Sequence, residues 1–265
     1  PDNLTPDELA KAIWSALDNG AGAAAEKGSG SGHEGTVIPV AHACGGAGAT
    51  TVAVNLADCL TQRSGLRKRA PSCKVALVDL DLQFGAVSSF LDQQPGRCLY
   101  QMADEGLVPD PVFLQQSMTE AAPGLWVLAA PSEFAPLHML EPQQIKALVG
   151  LLRAQFDYVV VDLPRVLVEW LSPVLEASSR LVMVTDCSVP SIAQARRLIE
   201  FYKEVNVGLD IEVVINRKRK PVFAASHEKE AARVLKRPFK HWLADDPAAA
   251  LAAAVVAHGV WRWIF

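Results

Sequence analysis

No apolar run in this sequence reaches the roughly 18 residues that a bilayer-spanning helix requires, and the first residues lack the charged-then-apolar layout of a secretory signal. Cysteine is scarce and unpatterned. Cys44, Cys59, Cys73, Cys98 and Cys187 show no C-x-x-C spacing, which excludes a zinc ribbon or a disulfide framework and fits reduced thiols. The histidines show no metal-ligand spacing, no catalytic-triad signature appears, and there is no internal repeat. Positive charge is not in excess either. With 25 Lys and Arg against 29 Asp and Glu the formal net charge is −4, so no nucleic-acid-binding surface dominates and no nucleic-acid partner is expected. These absences predict a cytoplasmic globular protein.

What is present is a core. Half of the 265 residues are apolar, enough for one large domain or two small ones. Residues 4–18, LTPDELAKAIWSALD, read as one amphipathic helix with Thr5 as N-cap and Pro6 in the first turn. The Gly-, Ala- and Ser-rich stretch that follows is a flexible linker by composition. The expected organisation is a helix over 1–19, the tail of a truncated upstream domain, a linker over 20–35, and a main domain over 36–265.

From Thr36 onward short apolar runs alternate with helical segments. The runs TVIPVAHA, CKVALVDLD, LWVLAAP, DYVVVDLP, RLVMVTDC and IEVVIN, with a weaker FKHWLAD, are mostly continuous and β-branched. That pattern suits strands buried on both faces of a parallel sheet. Helices are predicted over Thr50–Arg63, Pro142–Gln155, Ser191–Val205, Glu228–Leu235 and Pro247–His258. The alternation predicts an α/β fold, a doubly wound, mostly parallel sheet with helices on both faces, whose ligand sits beyond the carboxyl ends of the strands.

The loop after the first strand carries the chemistry. Gly45, Gly46 and Gly48 allow tight turns that aim backbone N–H groups inward, and the helix starting near Thr50 adds its positive end. Gly45, Gly46, Ala47, Gly48, Ala49, Thr50 and Thr51 therefore form a candidate anion cradle, with Thr50 where a P-loop hydroxyl ligates Mg²⁺. A P-loop carries lysine just before that hydroxyl; here it is Ala49. One lost charged hydrogen bond to phosphate costs about 1.5–3 kcal/mol, and hydrolysis loses its main positive clamp.

Three further strand ends fall in order. Asp79 and Asp81, two apart on one strand, point to one side, suited to a metal and an attacking water; a solvated strand end with capping acids is the other reading. Asp162 closes an apolar strand in the Walker B manner, where a carboxylate reaches Mg²⁺. Asn216 and Arg217 close IEVVIN, and an amide there can pair with an adenine edge or simply end the strand. The dense basic run Arg217–Lys220 reads as a solvated loop or a contact for an anionic partner. The final HGVWRWIF either packs on a protein surface or makes a peripheral membrane contact.

In this order, G-G-x-G-x-T-T, V-D-L-D-L-Q-F-G, V-V-V-D-L-P and I-N-R resemble the deviant Walker MinD/ParA group of P-loop ATPases. Within that group V-D-L-D-L-Q-F-G, V-V-D-L-P-R and the alanine at the P-loop lysine position are similar to the CpaE/TadZ proteins of tight-adherence (Flp-type) pilus assembly. The resemblance runs from about Thr36 to Val260. It implies a P-loop fold, ATP or ADP with Mg²⁺ as cofactor, a nucleotide-sandwich homodimer, pilus secretion proteins as partners, and placement at the inner membrane or a cell pole. It also implies that the leading helix ends a receiver-like domain. By residue it implies phosphate and Mg²⁺ binding by Gly45, Gly46, Gly48, Thr50 and Thr51, and water orientation by Asp81. Asp79 and Asp162 would serve the metal, and Asn216 with Asp246 would frame the base.

The chain departs from the group twice, because its signature lysine is Cys44 and its P-loop lysine Ala49. The expected function is therefore a nucleotide-binding localisation factor with weak or absent hydrolysis. The alternatives are an active ATPase with a cation such as Arg165 in place of the lysines, a nucleotide-free scaffold, and a ParA-like DNA-partitioning ATPase.

Overall fold

In a computed structural model of the chain, residues 34–61, 73–219 and 226–244 are described. The apolar runs become the centre of one sheet. β1 (Thr36–His42), β2 (Val75–Asp79), β5 (Tyr158–Asp162), β6 (Arg180–Thr185) and β7 (Asp210–Ile215) have almost wholly buried middles. β3 (Thr119–Ala122), β4 (Leu125–Leu128) and β8 (His241–Trp242) complete it, in the order β3-β4-β2-β5-β1-β6-β7-β8. Every pairing is parallel except β3 with β4. The doubly wound, mostly parallel α/β sheet expected from the sequence is the fold observed.

Neighbouring residues on a strand face opposite ways, and the chain uses both. Ile38, Leu77 and Val160 pack with α1 (Ala49–Leu60) and α2 (Val87–Phe90) on one face. Val37, Ala76 and Val161 pack on the other, with α3 (Cys98–Glu105), α4 (Pro111–Ser117), α5 (Pro142–Gln155), α6 (Leu171–Glu176), α7 (Val189–Val205) and α8 (Ser226–Leu235).

β1 lies between β5 and β6, and from it the chain crosses to β2 on one side, whereas β5 leads to β6 on the other. The order reverses here, so the loop after β1 opens into a switch-point crevice. The expected helix over Pro142–Gln155 matches α5, started by Pro142 and a Glu141/Gln144 capping box. The leading helix, residues 20–33 of the linker, Pro247–His258, Asp246 and the terminal aromatics lie outside the described residues, whereas Glu34 and Gly35, the last two linker residues, are tied to Arg153. No described helix is long and apolar enough to cross a membrane.

Candidate functional site

The loop between β1 and α1 is anchored at its start, where the Ala43 amide donates to the Val184 carbonyl at 2.9 Å. Gly46 and Gly48 then adopt φ of 73° and 87°, left-handed conformations that a side chain disfavours. Gly48 is also the N-cap of α1, with no side-chain cap and no acid in the first turn. The positive end of a 12-residue helix is thus left to whatever enters the crevice.

Asn216 secures the loop from beneath. Its Nδ2 donates to the Ala47 carbonyl at 2.7 Å and its Oδ1 accepts from the Arg217 amide at 2.9 Å. A Cβ on Gly48 would stand 2.3 Å from that Nδ2, so Gly48 is required by contact as well as by φ. Both ends of the amide are engaged, and a base could use only its second N–H and its remaining lone pairs. Arg217 is exposed, with φ of 58°. Lys218, in the same basic run, is committed internally by an ion pair with buried Glu228 at 2.7 Å.

The acids meet across a strand pair, since Asp79 and Asp162 are register partners on β2 and β5. Asp79 is fully buried, and its Oδ1 accepts from the Asp81 amide and its Oδ2 from the Val87 amide, each at 3.1 Å. Burial pushes its carboxyl up to about 6 against those hydrogen bonds. Asp81 is half-buried, and its Oδ1 accepts from the Gln83 and Phe84 amides at 3.1 and 3.0 Å. Asp79 therefore shapes the turn that presents Asp81.

Asp162 is 3% exposed, and its carboxyl is pushed up to about 8, first by burial and then by Asp79, against a hydrogen bond from Thr50. Its Oδ1 is buried with no hydrogen-bond partner among the described residues. A buried orphan oxygen beside a hydroxyl at the start of α1 suits a hard cation. Mg²⁺ is held by few protein ligands and keeps waters and phosphate oxygens. The described residues contain no cluster of three or more His, Cys, Asp or Glu that would suit a metal held by protein alone. Thr50 and Asp162 fit Mg²⁺ brought in with a phosphate.

Three other groups surround the loop, among them Arg165, the cation that the sequence offered in place of the lysines. His42, at the end of β1, hydrogen-bonds the Leu163 backbone, and burial and then the charge of Arg165 push its imidazole below the ordinary value, against Asp81. Cys44 receives the Ser191 hydroxyl at 3.0 Å, so the first turn of α7 reaches the loop. The Arg165 guanidinium lies over Gly45, where a Cβ would stand 2.5 Å from Nη1. The triplet Asp162-Leu163-Pro164 running into Arg165 was the signal available in the sequence for that last contact.

Comparison with known proteins agrees with this geometry. The AAA domain family AAA_31 matches residues 35–215. The septum site-determining protein MinD of Thermotoga maritima is 30% identical over 187 residues, which cover 69% of this chain and 64% of that protein. The chain thus spans under two thirds of that relative's length. A ParA family ATPase from Chlorobium tepidum superposes with a TM-score of 0.69 at 24% identity, covering 84% of this chain and 91% of that one. MinD from Pyrococcus horikoshii, solved with Mg-ADP, superposes with a TM-score of 0.61 at 18% identity, covering 82% and 86% of the two chains. The glycine loop on β1, the acids on β2 and β5 and these likenesses place the chain in the AAA domain family, as a MinD/ParA-like P-loop protein.

Proposed function

We propose that this protein binds ATP or ADP with Mg²⁺ and works as a localisation or assembly factor for a tight-adherence pilus secretion system, with weak or absent hydrolysis. The observation that carries the nucleotide part is the Thr50–Asp162 hydrogen bond at the start of α1, beneath a glycine loop that no side chain caps. Backbone N–H groups of Gly45–Thr51 would receive phosphate oxygens, and the Thr50 hydroxyl and Asp162 would hold the magnesium, directly or through water. The metal neutralises phosphate charge when bound. Asp81 is half-buried at the same edge and would orient a water, while Asn216 and Asp246 would frame the base.

The loss of both lysines, at Cys44 and Ala49, supports binding over turnover, because phosphoryl transfer depends on positive groups on the developing charge. The pilus role is supported by V-D-L-D-L-Q-F-G, V-V-D-L-P-R and Ala49. Titration of the whole chain with Mg-ATP by calorimetry, beside Thr50→Ala and Asp162→Asn, tests the nucleotide reading. Binding weakened by both substitutions is expected. No detectable heat at millimolar ATP would leave the nucleotide-free scaffold, and salt-sensitive retention of DNA would point to a ParA-like partitioning role.

A further inference from the structure

We propose that Arg165 is the phosphate clamp of this site, its guanidinium holding the bound phosphates, without restoring turnover, where Cys44 and Ala49 leave no lysine. The inference rests on the nucleotide reading above and deepens it.

The loop from Ala43 to Thr51 carries no cation of its own. Backbone N–H groups and a helix end supply only partial charge, whereas a di- or triphosphate brings several full negative charges. Arg165 supplies a full positive charge at the right place. A Cβ on Gly45 would lie 2.5 Å from its Nη1, 3.0 Å from its Cζ and 3.5 Å from its Nη2, so the guanidinium rests on the phosphate loop rather than trailing into solvent. Its position is set from the strand. The Leu163 amide donates to the Val40 carbonyl at 3.0 Å, locking the end of β5 to β1, and buried Pro164 fixes the backbone one residue before Arg165.

The side chain is also uncommitted. Arg153, Arg180 and Arg233 each sit within 4 Å of a carboxylate, but no described carboxylate lies at ion-pair distance from Arg165. It is exposed, so it is ready to bind without losing a buried partner. Its charge already reaches His42 beside the loop. A planar fork of N–H donors at fixed angles matches two oxygens of one phosphate, which a lysine ammonium does not. Gly45 and Arg165 form one device, since the missing side chain at 45 is what lets the guanidinium lie on the loop.

The test is titration of the whole chain with Mg-ATP, Mg-ADP, inorganic pyrophosphate and adenosine, using wild type, Arg165→Ala, Arg165→Lys, Gly45→Ala and the Gly45→Ala/Arg165→Ala double variant. Thr50→Ala serves as the control for the loop itself. Arg165→Ala should bind ATP and pyrophosphate about 10- to 100-fold more weakly while leaving adenosine unchanged. Arg165→Lys should recover part of that loss. Gly45→Ala should mimic Arg165→Ala by displacing the guanidinium, and the double variant should be no weaker than the weaker single one. Unchanged thermal melting would show that the exposed Arg165 is not needed for folding.

If Thr50→Ala weakens ATP but Arg165→Ala stays within twofold of wild type, the clamp is wrong and the nucleotide reading stands. If wild type binds neither ATP, ADP nor pyrophosphate at millimolar concentration, both are overturned.

Discussion

Gly85 shows how closely the acid pair is built into its surroundings. A Cβ there would lie 2.2 Å from the Cβ of Ala130 and 2.7 Å from both Oδ2 of Asp79 and the Asp81 carbonyl. The Ala130 Cβ and the Asp81 carbonyl cannot swing aside, and Asp79 Oδ2 is held by the Val87 amide. Gly85→Ala should therefore overpack the turn, destabilise the fold by about 1–3 kcal/mol and shift Asp81, a loss that urea unfolding would reveal. A variant as stable as wild type would show that the turn yields freely. Asp162 makes a second residue-scale prediction, in pH. Its folded carboxyl titrates near 8 against an ordinary 3.8, and that of Asp79 near 6, so between these values the folded chain keeps protons that the unfolded chain releases. Their contribution to stability is full below about pH 4 and is lost as pH rises through about 8. Without metal or nucleotide, wild type should lose stability steadily as pH rises from 5 to 8.5, and Asp162→Asn should flatten much of that slope. An equal slope in the variant would place the proton elsewhere.

At the scale of elements, the strands that were legible are those buried on both faces. β1, β2, β4, β5, β6 and β7 announce themselves because continuous apolar, mostly β-branched runs have few other uses in an α/β domain, and the two-residue β8 falls within the weaker run FKHWLAD. β3 was missed for the opposite reason. Thr119-Glu120-Ala121-Ala122 is a short edge strand with its first two residues exposed, and neither composition nor alternation marks it. The short helices α2, α3, α4 and α6 span four to eight residues each, too few turns to show a helical period. The site divides the same way. Thr50, Asp81 and Asp162 could be named as candidates because they follow the strands β1, β2 and β5 in a fixed order, whereas the Arg165–Gly45 contact depends on how two adjacent strands align.

One tie between elements could not be read at all. Gln144 has 1% exposure, its Nε2 donates to the Met102 and Leu107 carbonyls at 2.6 and 2.9 Å, and its Oε1 accepts from the Glu141 amide. This single amide fastens the start of α5 to α3 and to the loop beyond it. Gln144→Ala should cost roughly 2–3 kcal/mol by stranding buried carbonyls. Gln144→Glu should fail to rescue it, because an ionised carboxylate cannot donate. Full rescue by Glu in thermal melts would mean that the cap, rather than the carbonyl pair, supplies the stability.

At the scale of the whole molecule, the carboxyl edge of the sheet carries most of the large apolar side chains exposed among the described residues. Phe84, Phe134, Val166, Leu167 and Val189 are 76, 76, 50, 45 and 83% exposed, and they follow β2, β4, β5 and β6, ringing the loop of β1. Phe84 and Phe134 already meet edge-to-face with centroids 6.2 Å apart. A rim of this kind suits the homodimer that the family resemblance implies, since apolar side chains gathered on one face gain most by closing on a matching face. The replacement of the signature lysine by Cys44 shapes the expectation further, because no cation in that position is left to reach a partner's phosphate. Association should then rest on apolar contact. It should change little between 0.05 and 0.5 M salt and should need nucleotide only weakly, unlike a dimer held across two phosphates by charge. Sedimentation of wild type beside a Phe84→Ser/Val189→Ser variant measures this directly. Dimers of wild type that dissociate in the variant while ATP affinity is kept would assign the rim to self-association. A wild-type chain that stays monomeric until saturated with Mg-ATP would return the driving force to the nucleotide, and with it the need for a charge reaching across that Cys44 does not supply.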